Sequence, residues 1–186
     1  MYVVNLFAPP GAGKSTGAAY IFAKLKMAGV NAELITEFAK DKVWEENKEA
    51  IKNQAYMFGK QYFRMSRCRN KVDVLVTDSP LLLSILYNTD ETLGEEFDCV
   101  VSNVFKSFNN LNYWLKRVKP YNPKGRLQTE EESEALVPKL RQILADEHIH
   151  CKEFRGIEED YDKIVNHVLL HLNEFSIDKM KEACET

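Results

Sequence analysis

The sequence predicts an α/β domain, a parallel β-sheet with helices on both faces. Three observations carry this expectation. Short strand-like runs recur at Tyr2–Phe7, Asn31–Thr36, Val72–Thr77 and Leu111–Leu115, with a weaker one at His150–Ile157. Between them lie longer segments whose apolar residues repeat at helical spacing. The 186 residues are 45% hydrophobic and 28% charged, a globular composition of one domain's length.

The elements follow in order. Tyr2–Phe7 is a buried strand, ended by Ala8-Pro9-Pro10-Gly11. Ala18, Ile21, Phe22, Leu25 and Ala28 form a helical stripe from Lys14, which Gly29 stops. Asn31–Thr36 is the second strand. Trp44, Ile51, Ala55, Phe58, Tyr62 and Met65 predict one long helix to about Cys68, and Tyr56, Phe58, Tyr62 and Phe63 are expected in the core and cleft wall. Val72–Thr77, rich in β-branched residues, is the third strand. Ser79-Pro80 reads as a helix start, with Ser as the cap and Pro in the first helical position. A helix over Phe97–Phe108 and the strand Leu111–Leu115 follow. Residues 116–129 read as a loop, and Glu130–Leu144 as a helix in which Pro138 marks a kink or break. His150–Ile157 is a weaker fifth strand and Tyr161–Leu172 a closing helix. The polar last dozen residues are expected to fray.

Composition narrows the function classes. Lys plus Arg number 25 against 28 Asp plus Glu, a net charge of −3 that disfavours non-specific coating of nucleic acid or acidic membranes. The four cysteines form no C-x-x-C pair and read as reduced thiols. His148, His150, Cys151, His167 and His171 fit no zinc spacing. The amino terminus lacks a basic start and a signal core, and no stretch approaches the roughly 18 apolar residues of a membrane span. A cytoplasmic protein without a membrane partner is expected.

In a parallel sheet, ligands bind at the carboxyl ends of the strands. The first such loop reads Ala8-Pro9-Pro10-Gly11-Ala12-Gly13-Lys14-Ser15-Thr16, the pattern G-x-x-x-x-G-K-[ST] with Ala8 in the first Gly position. An apolar strand precedes it and an amphipathic helix follows, the context in which this pattern cradles phosphates. Gly11 and Gly13 let the backbone curl so that N–H groups point at phosphate oxygens. The helix start adds its positive dipole end. Lys14 is placed for the β- and γ-phosphates, and the Ser15 hydroxyl for a Mg²⁺ that bridges them. Pro10, Gly11, Ala12, Gly13, Lys14, Ser15 and Thr16 form the expected ATP site. A positive φ at Ala8 would cost about 1 kcal/mol.

These residues resemble the P-loop kinases of small molecules and nucleotides. Pro9 to Lys14 is similar to the phosphate loop of nucleoside monophosphate kinases. Ile35 to Lys40, Gln54 and Gln61 on the long helix, and Val74 to Pro80 with Tyr87 resemble the ATPase/kinase domain linked to NAD metabolism. That ribosylnicotinamide-kinase type also occurs in bacteriophage proteins, for which the host cytoplasm would be the location. The chain departs from the family at Ser79 and Lys40, where Arg is common. The resemblance implies a P-loop NTPase fold over residues 1–186, a five-stranded parallel sheet in the order 2-3-1-4-5 and a lid at about 116–130.

The resemblance also implies roles. Asp78, ending the third strand, is the second acidic group toward Mg²⁺; no Glu follows it, which favours transfer to a hydroxyl over hydrolysis. Glu37 is the group that accepts the hydroxyl proton of a nucleoside- or nucleotide-like acceptor, with Asp41 in reserve. Residues 116–126 hold five basic side chains; Arg117 and Arg126 would close over the triphosphate and offset charge on the transferred group. A solvated loop paired with the Glu130-Glu131-Glu132 run is the alternative. Arg64, Arg67, Arg69 and Lys71 complement the end of the long helix. The function implied is ATP- and Mg²⁺-dependent transfer of the γ-phosphoryl group to a hydroxyl. The rivals are a kinase acting on a polynucleotide end or a modified DNA base, and an ATP-dependent switch acting on a partner.

Overall fold

The computed structural model describes residues 1–122 and 129–184, the last ten as backbone only. Five strands form one parallel sheet: β1 (Tyr2–Phe7), β2 (Ala32–Ile35), β3 (Val74–Thr77), β4 (Asn109–Lys116) and β5 (Lys152–Arg155). Their order is β2-β3-β1-β4-β5, the predicted one. The central strand β1 alternates its side chains between two cores. Val3 and Phe7 enter a core shared with Met65, Leu81, Leu82, Val101, Phe105 and Leu140. Val4 and Leu6 face Ala18, Ile21, Leu25, Tyr161, Ile164 and Val168.

The second core is roofed by α1 (Lys14–Met27) and α8 (Glu158–Cys184). The first is covered by α4 (Gln54–Ser66), α5 (Leu83–Tyr87), α6 (Gly94–Lys106) and α7 (Glu130–Asp146). Asn5 lies within the apolar run of β1 and is fully buried. Its Nδ2 donates across the sheet to Asn110 Oδ1 at 2.8 Å and Asn112 Oδ1 at 3.0 Å, which offsets the cost of burying that end of the amide, while its Oδ1 has no hydrogen-bond partner among the described residues.

The long helix expected from Trp44 to Cys68 is three helices: α2 (Phe38–Trp44), α3 (Lys48–Lys52) and α4. Asn47 and Asn53 break it, because each side chain accepts from the backbone N–H three residues on, at Ala50 and Tyr56. Glu46 supplies the reversal with φ 55°. The inward face of α4 is Gln54, Met57, Phe58, Gln61 and Met65. Ala55 and Phe63 therefore point outward, Tyr56 is 39% exposed with its ring edge-on to Phe38, and Trp44 projects from the end of α2. Phe58 and Tyr62 do stack in the core.

Ser79 does not cap a helix. Its N–H is taken by Thr77 Oγ1, a turn follows, and α5 begins only at Leu83. Helix α7 continues through Pro138 and starts with a complete capping box between Thr129 and Glu132. The backbone of α8 stays helical to Cys184. Among the described residues no helix is long and apolar enough to cross a membrane.

Candidate active site

The loop between β1 and α1 turns on Gly11 and Gly13, at φ 87° and 95°, a region open to glycine at little cost. Gly13 immediately precedes α1, whose first turn holds no acidic residue and no side-chain cap. The orphan N–H groups and positive dipole end of that helix remain available to an anion. Ala8 is not left-handed: among the described residues the non-glycine positive φ values are at Glu46, Asn70 and His148. The conformational cost anticipated at Ala8 therefore does not arise. Lys14 folds back over the loop, its Nζ donating to Ala8 O at 2.8 Å and Pro9 O at 3.2 Å.

Three distant residues brace this loop, and none stands out in the sequence. Ser133 of α7, fully buried, donates from Oγ to Pro10 O at 2.8 Å. Tyr161 of α8 donates from Oη to Gly13 O at 3.1 Å, and its ring fills the space a Cβ on Gly17 would need. Gly156, just past β5, donates its N–H to Lys116 O at 3.0 Å. A Cβ on Gly156 would lie 2.3 Å from Ala12 O. A Tyr one turn into a strand-following helix, or a Gly at a strand end, is too common a pattern to signal such contacts.

The loop forms one end of a cleft of about 460 Å³. Pro10, Gly11, Gly13, Lys14, Ser15 and Thr16 line that end; Ala12 is buried beneath it. Glu37, Phe38 and Lys40 rise from the end of β2, and Val43, Trp44, Ile51 and Met57 supply apolar wall. Ser79, Pro80, Leu83 and Tyr87 close the side formed after β3. The strand ends and helices thus bring the phosphate loop and Glu37 to one cavity.

Glu37 is half-buried at the turn into α2, and its N–H donates to Asp78 Oδ1 at 3.0 Å. Burial pushes its carboxyl above the usual range; Lys14 opposes this, the Asp78 charge adds to it and Lys40 opposes it. Asp78 itself is buried and ties β3 to the Glu37 loop. Gln61 makes a parallel tie, accepting from Phe38 N–H at 3.0 Å and donating to Ser79 O at 3.4 Å. Both of its ends are thus engaged by backbone. The Tyr87 phenol is driven up by burial and then by the Glu37 and Tyr121 charges.

Arg117 lies just past β4 and is largely buried. Its Nη2 donates to Glu134 Oε1 and reaches Glu130 Oε1 at 3.0 Å, and its guanidinium lies 5.4 Å from the centre of the Tyr121 ring. It is absent from the cleft lining, and its partners are the acidic first turns of α7. Arg126 falls outside the described residues. Arg64 bonds Thr36 O and Asp41, and Arg69 bonds Ser107. Asp41 is thereby paired away from the cleft lining.

No family model matches the chain. No curated protein matches it either. Solved structures do. One is a deoxyadenosine kinase from M. mycoides with dCMP as product and a flexible dCDP bound: 18% identity, TM-score 0.54, covering 92% of this chain and 99% of that one. Another is the same enzyme with dATP bound: 19% identity, TM-score 0.51, covering 94% and 99%. At this identity the likeness speaks to the fold, and with the sheet order and the loop geometry it establishes that the chain has the α/β P-loop fold.

Proposed function

We propose that the protein is a P-loop kinase that moves the γ-phosphoryl group of ATP to a hydroxyl of a nucleoside- or nucleotide-like small molecule. The observation that carries this reading is the shared cleft. The glycine-turned loop with Lys14 forms one end, and the half-buried Glu37 stands on the wall formed after β2. The apolar side formed by Val43, Trp44, Ile51 and Met57 suits a planar base.

The residues fit a nucleoside triphosphate. The α1 start is uncapped and free of acids, and the loop carbonyls that Lys14 bonds are ones that phosphate oxygens can replace. Among the described residues no group of three or more His, Cys, Asp or Glu is placed to hold a metal by itself. A Mg²⁺ would be held by the Ser15 hydroxyl, the nucleotide's own phosphates and water, and Asp78, which is buried outside the cleft lining, would act on it through that water. When bound, it would neutralise charge on the phosphates. Glu37 orients the acceptor hydroxyl and takes its proton, and the burial that raises its pKa makes its carboxylate a stronger base. Lys14 offsets charge on the transferred group.

The neighbours bind deoxynucleotides, and the sequence resembles the ribosylnicotinamide-kinase type, so deoxynucleosides and nicotinamide riboside are the first acceptors to try. ADP release is measured across those compounds and nucleoside monophosphates, with Lys14→Ala as the control. Acceptor-dependent ADP release that falls at least about 100-fold in Lys14→Ala is expected. Turnover only with a DNA fragment, or only with a protein partner, would favour a rival.

A further inference from the structure

Gln61 lines the cleft near the apolar wall, a place where a free amide would read a ligand's polar edge. It is only 5% exposed, and backbone takes both of its ends. The strand register explains why. Ile35 of β2 pairs with Thr77 of β3, so Glu37 and Ser79 each lie two residues past the paired ends of adjacent strands. Past those ends the ladder stops, and side chains satisfy the backbone groups on either side. Asp78 accepts from Glu37 N–H at 3.0 Å, and Gln61 bridges Phe38 N–H to Ser79 O. A donor on one side and an acceptor on the other fix which way its amide points.

A second residue of α4 grips the same turn. Arg64 reaches Thr36 O at 3.4 Å and Asp41 Oδ2 at 2.5 Å, and its guanidinium lies 4.9 Å from the centre of the buried Phe38 ring. Glu37 therefore sits between two backbone neighbours that are held from outside. An N-cap side chain commonly turns back to the first N–H groups of its helix. The Glu37 carboxylate makes no such bond to α2 and stays on the cleft wall.

Building on the kinase reading, we propose that Gln61 is a positioning residue: by joining the turns after β2 and β3 it holds the Glu37 backbone, and through it the carboxylate, toward the acceptor hydroxyl, and it does not read the acceptor's base. To address a ligand the amide would have to release Phe38 N–H. That buried group would then be unpaired, a penalty that one bond to a base does not offset.

The test is Gln61→Met, which keeps the length of the side chain and removes both bonds. It should lower kcat about tenfold or more and leave the KM for ATP and for the acceptor within about twofold, whatever base the acceptor carries. In a Glu37→Gln background it should lower kcat no further. Amide hydrogen exchange needs no turnover: Phe38 N–H and Glu37 N–H should exchange at least about tenfold faster in the variant, beyond any change in the β1 amides that report global stability. Gln61→Asn, whose amide is one carbon too short to span both turns, should behave alike and carries the test if Gln61→Met does not fold. A loss confined to the acceptor KM and varying with the base would overturn the proposal in favour of base reading. Unchanged kcat, an equal further loss in the Glu37→Gln background, or unchanged Phe38 exchange would overturn it too. Failure of the kinase reading shows separately, as turnover in Lys14→Ala equal to wild type, and leaves the exchange comparison in force.

Discussion

Gly156→Ala isolates the packing that holds the phosphate loop. No positive φ is involved at this position, so the effect of the added methyl is purely steric. Its Cβ would lie 2.3 Å from Ala12 O, about 0.7 Å inside the 3.0 Å that such contacts keep. Both sides are backbone. Gly156 is tethered by its N–H to Lys116 O, and Ala12 is held between Pro10, which Ser133 bonds, and Gly13, which Tyr161 bonds. Relief therefore comes by moving the loop itself by the better part of an ångström, at a stability cost of about 1–3 kcal/mol. A displacement near 1 Å in groups that position a reacting phosphate costs on the order of 100-fold in rate. ATP-dependent ADP release by Gly156→Ala should fall by that factor in kcat/KM for ATP, with Tm lowered by several degrees. Gly59→Ala, on the exposed face of α4 with nothing within 4 Å, is the control and should gain about 0.5–1 kcal/mol. Wild-type ATP kinetics in Gly156→Ala would refute the bracing account.

Other outcomes follow from the same structure. Glu37→Gln should lower kcat by about 10²- to 10⁴-fold; in the wild type the rate should fall with acid as the pH drops through a value above the ordinary carboxylate range, because burial raises the Glu37 pKa. The stability sign is opposite: a raised folded pKa means that ionising Glu37 costs stability as pH rises from its unfolded to its folded value. Urea melts should therefore show Glu37→Gln gaining stability over wild type above that window. Asn47→Ala and Asn53→Ala should each lose about 1 kcal/mol as a helix cap disappears, with Asn53→Ala also disturbing the cleft wall that α4 supplies. Ser133→Ala, which removes the hydrogen bond to the partly buried Pro10 carbonyl, should cost about 1 kcal/mol in chemical denaturation and raise the KM for ATP more than that for the acceptor.

What could be read directly from the chain is what is local. Alternating apolar runs and helical stripes mark the layers, and Gly11, Gly13 and Lys14 lie within four residues of one another, so their phosphate-loop geometry needs no distant partner. Periodicity misled where side-chain caps compete with it: Asn47 and Asn53 interrupt an apolar stripe whose spacing runs on through them. An Asn three residues ahead of a helical N–H was the signal that could have found both breaks. Ser79-Pro80 misled for a related reason, since Thr77 Oγ1 captures the Ser79 amide and delays the helix. The contacts of Ser133, Tyr161 and Gly156 with the loop span more than a hundred residues of sequence and depend on the strand order, which no local pattern encodes. Arg117 belongs to the same class: its basic neighbourhood was visible, but its grip by α7 depends on how β4 and α7 leave the sheet.

Calorimetric titration of wild type and Lys14→Ala with a Mg²⁺ complex of a non-hydrolysable ATP analogue tests the phosphate-loop assignment most directly. The wild type should bind one equivalent, and the variant, still folded by its melt, should lose about two orders of magnitude in affinity. Equal affinity in the two proteins would contradict the assignment and, with it, the proposed reaction.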